Sequence, residues 1–251
     1  LAKVYGDYIK KHKLLFPVFE QSKLNGIRGL SYLRRKDNNA TVNDVIIYTR
    51  KLKDYPHNQY IDAIREELIP LLHKFYGKYS TNESIYFDGE MYNHNVNLQN
   101  INHIVRSQEV KENIDTEHNI QYWIYDVFYP SKAEMPFVER ANLLSKLSKM
   151  IRPDGLVRIL DTNLIETQKA LDDKYIQYIK DGYEGMMVRA YNGRYATSNR
   201  GAAGLRSADL LKRKEVFSEE FEVVDWTQGS AGKKSAQLFG YVRLTIISAF
   251  M

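Results

Sequence analysis

Cysteine is absent from the 251 residues, which excludes disulfides, iron–sulfur clusters, thiolate zinc sites and thiol nucleophiles together. No stretch approaches the roughly eighteen consecutive apolar residues of a membrane-spanning helix. The opening Leu1-Ala2-Lys3-Val4 lacks the apolar segment and small-residue site of a signal peptide, so the expectation is a soluble intracellular protein with no membrane partner. The first residue is not Met, and the numbering is expected to begin inside a longer protein. Excess charge is also scarce. Lys and Arg number 36 against 31 Asp and Glu, and the resulting +5 suits a polyanionic partner without demanding one. What the chain does have is core-forming material: 43% hydrophobic and 12% aromatic residues, with 19 tyrosines, too much for a disordered chain. Its length supports one large domain, or one domain and part of another.

Apolar residues at helical spacing mark three helices: Tyr60, Ile61, Ile64, Leu68, Leu71, Leu72 and Phe75, with Pro70 late enough to kink it; Ala141, Leu143, Leu144, Leu147 and Ile151; and Ile165, Ala170, Leu171, Tyr175, Ile176 and Ile179. Strands are expected over Val18–Leu24, Ile27–Arg34, Thr41–Arg50, Ser84–Tyr92, Ile120–Tyr129, Leu156–Leu160, Glu184–Ala190 and Asp209–Lys214. Asp37-Asn38-Asn39 reads as a hairpin turn. Hairpins with interposed helices, without strict β-α-β alternation, indicate an α+β fold. From Glu220 the texture changes to two β-like runs around a Gly- and Lys-rich loop. A five-stranded barrel needs roughly seventy or more residues, so this second unit is expected to be truncated.

Four clusters carry chemistry. In Gln21-Ser22-Lys23-Leu24-Asn25-Gly26-Ile27-Arg28, a lysine precedes a glycine turn. Such a lysine is usually a solvated charge, but a neutral amine can attack phosphorus if neighbouring cations or burial lower its pKa from about 10.4, and Arg28 is close enough in the strand register to be such a cation. In Asp88-Gly89-Glu90, strand alternation puts both carboxylates on one face, either a solvent-facing edge or a pair that needs a cation between them. Tyr122 to Phe128 reads as a buried strand whose aromatic face could equally stack on a base. In Glu184-Gly185-Met186-Met187-Val188-Arg189, alternation sets Glu184 on the face of Met186 and Val188, and in Lys212-Arg213-Lys214 the two lysines share a face.

Singly these mean little, but their order and spacing resemble one superfamily, the covalent nucleotidyltransferases that comprise ATP-dependent DNA ligases, RNA ligases and mRNA capping enzymes. That series runs Lys-x-Asp-Gly-x-Arg, Asp-Gly-Glu, an aromatic before Asp, Glu-Gly with a hydrophobic tail, and Lys-x-Lys. Here it is met by Lys23 to Arg28, Asp88 to Glu90, Tyr125-Asp126, Glu184-Gly185 and Lys212 to Lys214. Glu184 to Arg189, Ile47 to Arg50 and Phe221 to Gly240 resemble DNA-ligase versions, particularly those of compact ligases of large DNA viruses and phages.

The resemblance implies an α+β adenylation (nucleotidyltransferase) domain with mixed or antiparallel sheets and flanking helices over 1–216, followed over 217–251 by the start of an all-β OB-fold domain. It implies ATP and Mg²⁺ as cofactors, AMP carried covalently on Lys23, nicked double-stranded DNA as partner, and a monomer placed in the cytoplasm, in association with a virus, or in the nucleus with DNA. Gln21 would help read the adenine edge and Tyr125 would stack on its ring. Arg28 and Glu90 would bind the ribose or position phosphate. Glu184, with Glu90, would hold metal, and Lys212 and Lys214 would neutralise the α-phosphate. Arg50 would contact phosphates beside the nick. From composition, the Gly- and Arg-bearing loop with Arg194, Arg200 and Arg206 is a further DNA contact, or simply a solvated loop. The sequence departs from the series twice: Asn25 stands where the family has Asp, and the last basic motif of the barrel is not found. An RNA ligase on the same fold and a catalytically silent nucleic-acid-binding relative are the alternatives.

Overall fold

A computed structural model describes residues 2–35, 37, 39–108, 120–195, 207–215, 221–228 and 239–246. Two compact units divide the chain, Leu1–Lys214 and Glu215–Met251. The first contains β1 (Ala2–Val4), α1 (Tyr5–Ile9), β2 (Val18–Lys23), β3 (Ile27–Leu33), β4 (Val45–Tyr48), α2 (Gln59–Phe75), β5 (Tyr86–Tyr92) and α3 (Leu98–Arg106). It continues with β6 (Gln121–Phe128), α4 (Phe137–Ser148), β7 (Val157–Ile159), β8 (Asn163–Ile165), α5 (Gln168–Lys180), β9 (Gly185–Ala190) and β10 (Ser207–Lys214). In the second unit, β11 (Phe221–Gln228) and β12 (Phe239–Ile246) form an antiparallel pair. Among the described residues no helix is long and apolar enough to cross a membrane.

The first unit is α+β and holds two five-stranded sheets. One runs β4-β3-β5-β6-β7 and the other β1-β10-β9-β2-β8. All neighbours are antiparallel except β6 with β7 and β1 with β10. Periodicity explains the packing. Alternation in β3 buries Gly29, Ser31 and Leu33 and turns Arg28, Leu30 and Tyr32 outward. The buried face joins the stripe of α2, Ile61, Ile64, Leu68, Leu71, Leu72 and Phe75, in one large core with residues of α3 and α4. Asn58 caps α2, its side chain accepting from the Tyr60 and Ile61 amides. Pro70 sits on the exposed side of α2, where water can satisfy the carbonyl that loses its amide partner. The smaller sheet packs Val18, Met186, Val188 and Leu211 against Tyr5 of α1 and Leu171 and Tyr178 of α5.

Differences from the expected elements have local causes. Thr41 and Asp44 form a capping box that winds Val42–Asp44 into a 3-10 turn, so β4 starts only at Val45. The Asp37-Asn38-Asn39 turn falls partly outside the described residues, although the β3 and β4 strands it joins are antiparallel neighbours. Thr167 caps α5, with its hydroxyl accepting from the Ala170 amide, which leaves Ile165 in β8. The polar α3, nine residues long, buries Ile101, Ile104 and Val105 and is shorter than the three expected helices. Short β1, β8 and α1 depend on their neighbours in the small sheet.

Candidate active site

The outward face of the large sheet and one face of the small sheet line a cleft of about 580 Å³. Strand alternation puts Gln21, Lys23, Met187, Arg189, Leu210 and Lys212 on one wall, and Arg28, Asp88, Glu90, Tyr125 and Asp126 on the other. Gly26, in the turn between β2 and β3, lets the walls approach, since a Cβ there would collide with the Met91 carbonyl and the Glu90 side chain.

A β-bulge presents the aromatic plate. Asp88 pairs with Asp126 and Gly89 with Ile124, so Tyr125 is the extra residue in β6, and both Tyr125 and Asp126 reach the cleft. The Tyr125 hydroxyl donates to Asp88 at 2.9 Å, and burial raises its pKa well above the ordinary tyrosine value. Asp88 also accepts two bonds from Arg28, at 2.7 and 2.8 Å, and one from the Tyr195 hydroxyl at 2.6 Å. Arg28 is therefore committed to Asp88, which holds its guanidinium above the ordinary value, instead of acting as a free cation beside Lys23.

Lys23, Glu184 and Lys214 meet across three strands. Glu184 accepts from Lys23 and, at 2.9 Å, from Lys214. Burial works against the Glu184 carboxylate, but the two lysines outweigh it and hold its pKa below the ordinary value. The structure corrects the expected face of Glu184. Gly185, at φ +148°, breaks the alternation, so Glu184 turns to the lysines while Met186 and Val188 enter the small core. Lys212 lines the cleft and makes no ion pair among the described residues.

Glu90 is the half-buried acid of the site. It has no hydrogen-bond partner among the described residues, and burial, then the Asp88 charge, push its pKa up to about 8. No group of three His, Cys, Asp or Glu suited to a metal occurs among the described residues. Glu90 and Glu184 still fit Mg²⁺, which keeps several waters and takes one or two carboxylates alongside substrate phosphates.

Gln21 is fully buried and joins the two sheets. Its amide nitrogen donates to the Tyr125 carbonyl and the Thr162 hydroxyl, both at 2.8 Å, and its oxygen accepts from Arg189 at 2.7 Å. Arg189 also binds Asp126 at 2.7 Å, as does Arg140 at 2.7 and 3.2 Å. Arg140 further donates to the Met135 and Gly193 carbonyls. Two guanidiniums against one buried carboxylate leave positive charge under the cleft floor. The sequence motifs point to neither the Arg140 role nor this double pairing. A signal existed, since Arg140 shares the buried stripe of α4 with Phe137 and Leu144, where a charge needs a partner. Arg50 and Arg194 are exposed at the rim, Arg194 being paired to Glu134 at 2.6 Å. Arg200 and Arg206 lie outside the described residues.

Comparison with known proteins fits this geometry. Residues 1–214 match the family described as ATP dependent DNA ligase domain. A DNA ligase of African swine fever virus is 28% identical over 213 residues, covering 85% of this chain and 45% of the relative, so the chain spans less than half that relative's length. A solved Lig E DNA ligase superposes with a TM-score of 0.62 at 19% identity, covering 98% of this chain and 79% of that one. The ATP-dependent DNA ligase of bacteriophage T7, solved with ATP, gives 0.59 at 15% identity, with coverage of 92% and 74%. At those identities the two structures share the fold.

Proposed function

The chain belongs to the ATP-dependent DNA ligase domain family, and from that premise we propose that it adenylylates itself on Lys23 and transfers the AMP to the 5′-phosphate of a nick in duplex DNA, which the 3′-hydroxyl then seals. The observation that carries the proposal is the placement of Lys23 in a cleft with Lys212 on its wall and Tyr125 opposite, its amine held by Glu184, which Lys214 also contacts.

In the first step the neutral amine forms a bond to the α-phosphorus of ATP as the bond to pyrophosphate breaks. Lys23 must give up its ammonium proton to solvent and leave its pair with Glu184, a second proton passes from the nitrogen to solvent as the phosphoramidate forms, and Lys214 keeps the freed carboxylate in place. Phosphoryl transfer relies on positioning and charge neutralisation, which fits a fixed aromatic plate, Lys212, which makes no ion pair among the described residues, and the positive charge under the floor. Glu90 and Glu184 would hold Mg²⁺, which when bound neutralises phosphate charge. Asn25 in place of the family's Asp removes a negative charge near Lys23 and so an attraction that would favour the protonated amine. Nicked duplex DNA as substrate and an OB-fold role for residues 217–251 belong to the same proposal, the latter supported by the antiparallel pair β11 and β12. The test is incubation of the protein with α-labelled ATP and Mg²⁺, then denaturing electrophoresis. Label bound to the parent and missing from Lys23→Ala is expected, and an unlabelled parent would overturn the reading.

A further inference from the structure

The outward face of the large sheet continues beyond the cleft as a row of aromatic rings, one from each of four adjacent strands. Tyr48 on β4 lies 5.8 Å from Tyr32 on β3, Tyr32 lies 4.8 Å from Tyr86 on β5, and Tyr86 lies 5.0 Å from Phe128 on β6, measured between ring centroids. Tyr195 ends the row, stacked 4.0 Å from Phe128, and its hydroxyl donates to Asp88 in the cleft. The row is thus continuous with the site.

Ring orientation decides what such a row can contact. Tyr32 is tilted 32° from Tyr48, and the Tyr32–Tyr86 and Tyr86–Phe128 pairs are stacked within 17° and 22°. Each inner ring therefore has both faces covered by its neighbours, so no base can slide between them. Edges and hydroxyls remain. Tyr32, Tyr48 and Tyr86 are half-exposed. Among the described residues the Tyr32 and Tyr48 hydroxyls meet only each other, at a long 3.5 Å, and the Tyr86 hydroxyl has no partner. Burial, before any neighbouring group, raises the pKa of Tyr32 and Tyr86, so both remain neutral donors at ordinary pH. Arg34 lies close enough to Tyr32 for its charge to act on that hydroxyl, Arg50 follows Tyr48 by two residues, and neither arginine is ion-paired among the described residues. Packing alone would be served equally by phenylalanine, as it is at Phe128.

We propose that Tyr32, Tyr48 and Tyr86 form a neutral contact strip for the duplex that flanks the nick, donating hydroxyls to backbone and groove-edge oxygen or nitrogen acceptors, with Arg34 and Arg50 supplying charge at its edge. The proposal rests on the ligase reading for its partner. Tyr32 stands four residues beyond Arg28 on β3, about 13 Å along the strand, so the contact lies several base pairs from the reacting ends. Neutral donors and cations leave different signatures: a lost hydroxyl weakens binding equally at every salt concentration, whereas a lost phosphate-binding cation also flattens the salt dependence.

The experiment measures binding of the full chain to a nicked duplex across a salt series, for the parent, Arg50→Ala and the triple variant Tyr32→Phe, Tyr48→Phe, Tyr86→Phe, which keeps every ring. The triple variant should bind about tenfold more weakly at all salts with an unchanged slope, and should label with α-labelled ATP as the parent does. Arg50→Ala should flatten the slope. Parent-like affinity in the triple variant overturns the strip, and so does loss of self-labelling, which would make the row a support for the nucleotide site. A parent that binds no nicked duplex defeats the ligase reading itself.

Discussion

The two walls of the cleft are built on opposite plans. On the large sheet, the polar groups near Tyr125 are tied down among the described residues, Glu90 excepted: Asp88 accepts from Arg28, Tyr125 and Tyr195, and buried Asp126 accepts from Arg140 and Arg189. On the small sheet Arg189 is tied to Gln21 and Asp126, but the lysines are loosely held, with Lys23 and Lys214 sharing one carboxylate and Lys212 unpaired among the described residues. A saturated network keeps one geometry whether or not a ligand is present. A group of under-satisfied charges is completed only by a ligand of opposite sign. The division assigns shape to one wall and reactivity to the other, and substitutions on each should fail in different ways.

The largest effect is expected at Lys23. Lys23→Ala should abolish the covalent AMP adduct while thermal unfolding stays near that of the parent, because an amine at the end of β2 contributes little packing. Sealing of a nick that already carries 5′-adenylate should fall much less, and an acid-labile adduct in the variant would refute the nucleophile assignment. Asp126→Ala attacks the other wall and should instead cost about 3–5 kcal/mol of stability, since it strands two buried guanidiniums. A urea melt measures it, and a loss below about 1 kcal/mol would show that the network is not structural.

Tyr125→Ala removes the plate while leaving Asp88 three other hydrogen bonds, from Arg28 and Tyr195. The KM for ATP should rise by the equivalent of about 1–3 kcal/mol, Tyr125→Phe should be mild, and an unchanged KM would assign the ring to packing alone. Glu90 is the exception on its wall and predicts a pH effect. Its carboxyl titrates near 4.5 when unfolded and about 8 when folded. Between these values the folded protein holds a proton that the unfolded chain has released, so stability falls as pH rises through that window and levels off above it. Thermal melts of Glu90→Gln from pH 5 to 9 should lack that decline, and Mg²⁺ should lessen it in the parent. The smallest effect is expected at Arg194. Its exposed pair with Glu134 is worth at most about 1 kcal/mol, so Arg194→Ala should leave the melting curve alone and reduce the salt slope of duplex binding by about one. An unchanged slope would remove Arg194 from the DNA contacts.

By itself the sequence determined the fold class, the stripes of α2 and α4, most strands to within a few residues, and the order of motifs that identifies the family. Those features are periodic or linear, and a chain carries such information locally. Tertiary structure decided which charges face which. Lys23 and Glu184 are 161 residues apart and meet because β2 pairs with β9 with Lys23 opposite Gly185. Tyr125 and Asp126 both reach the cleft only because of a bulge, whereas unbroken alternation would have sent one of them into the core. Arg28 closes the Lys23 motif in sequence yet is committed to Asp88 across β3 and β5, and Arg140, outside every motif, anchors Asp126. Alternation along one strand says which residues share a face, but only the register between strands, set by long-range pairing, says what that face meets.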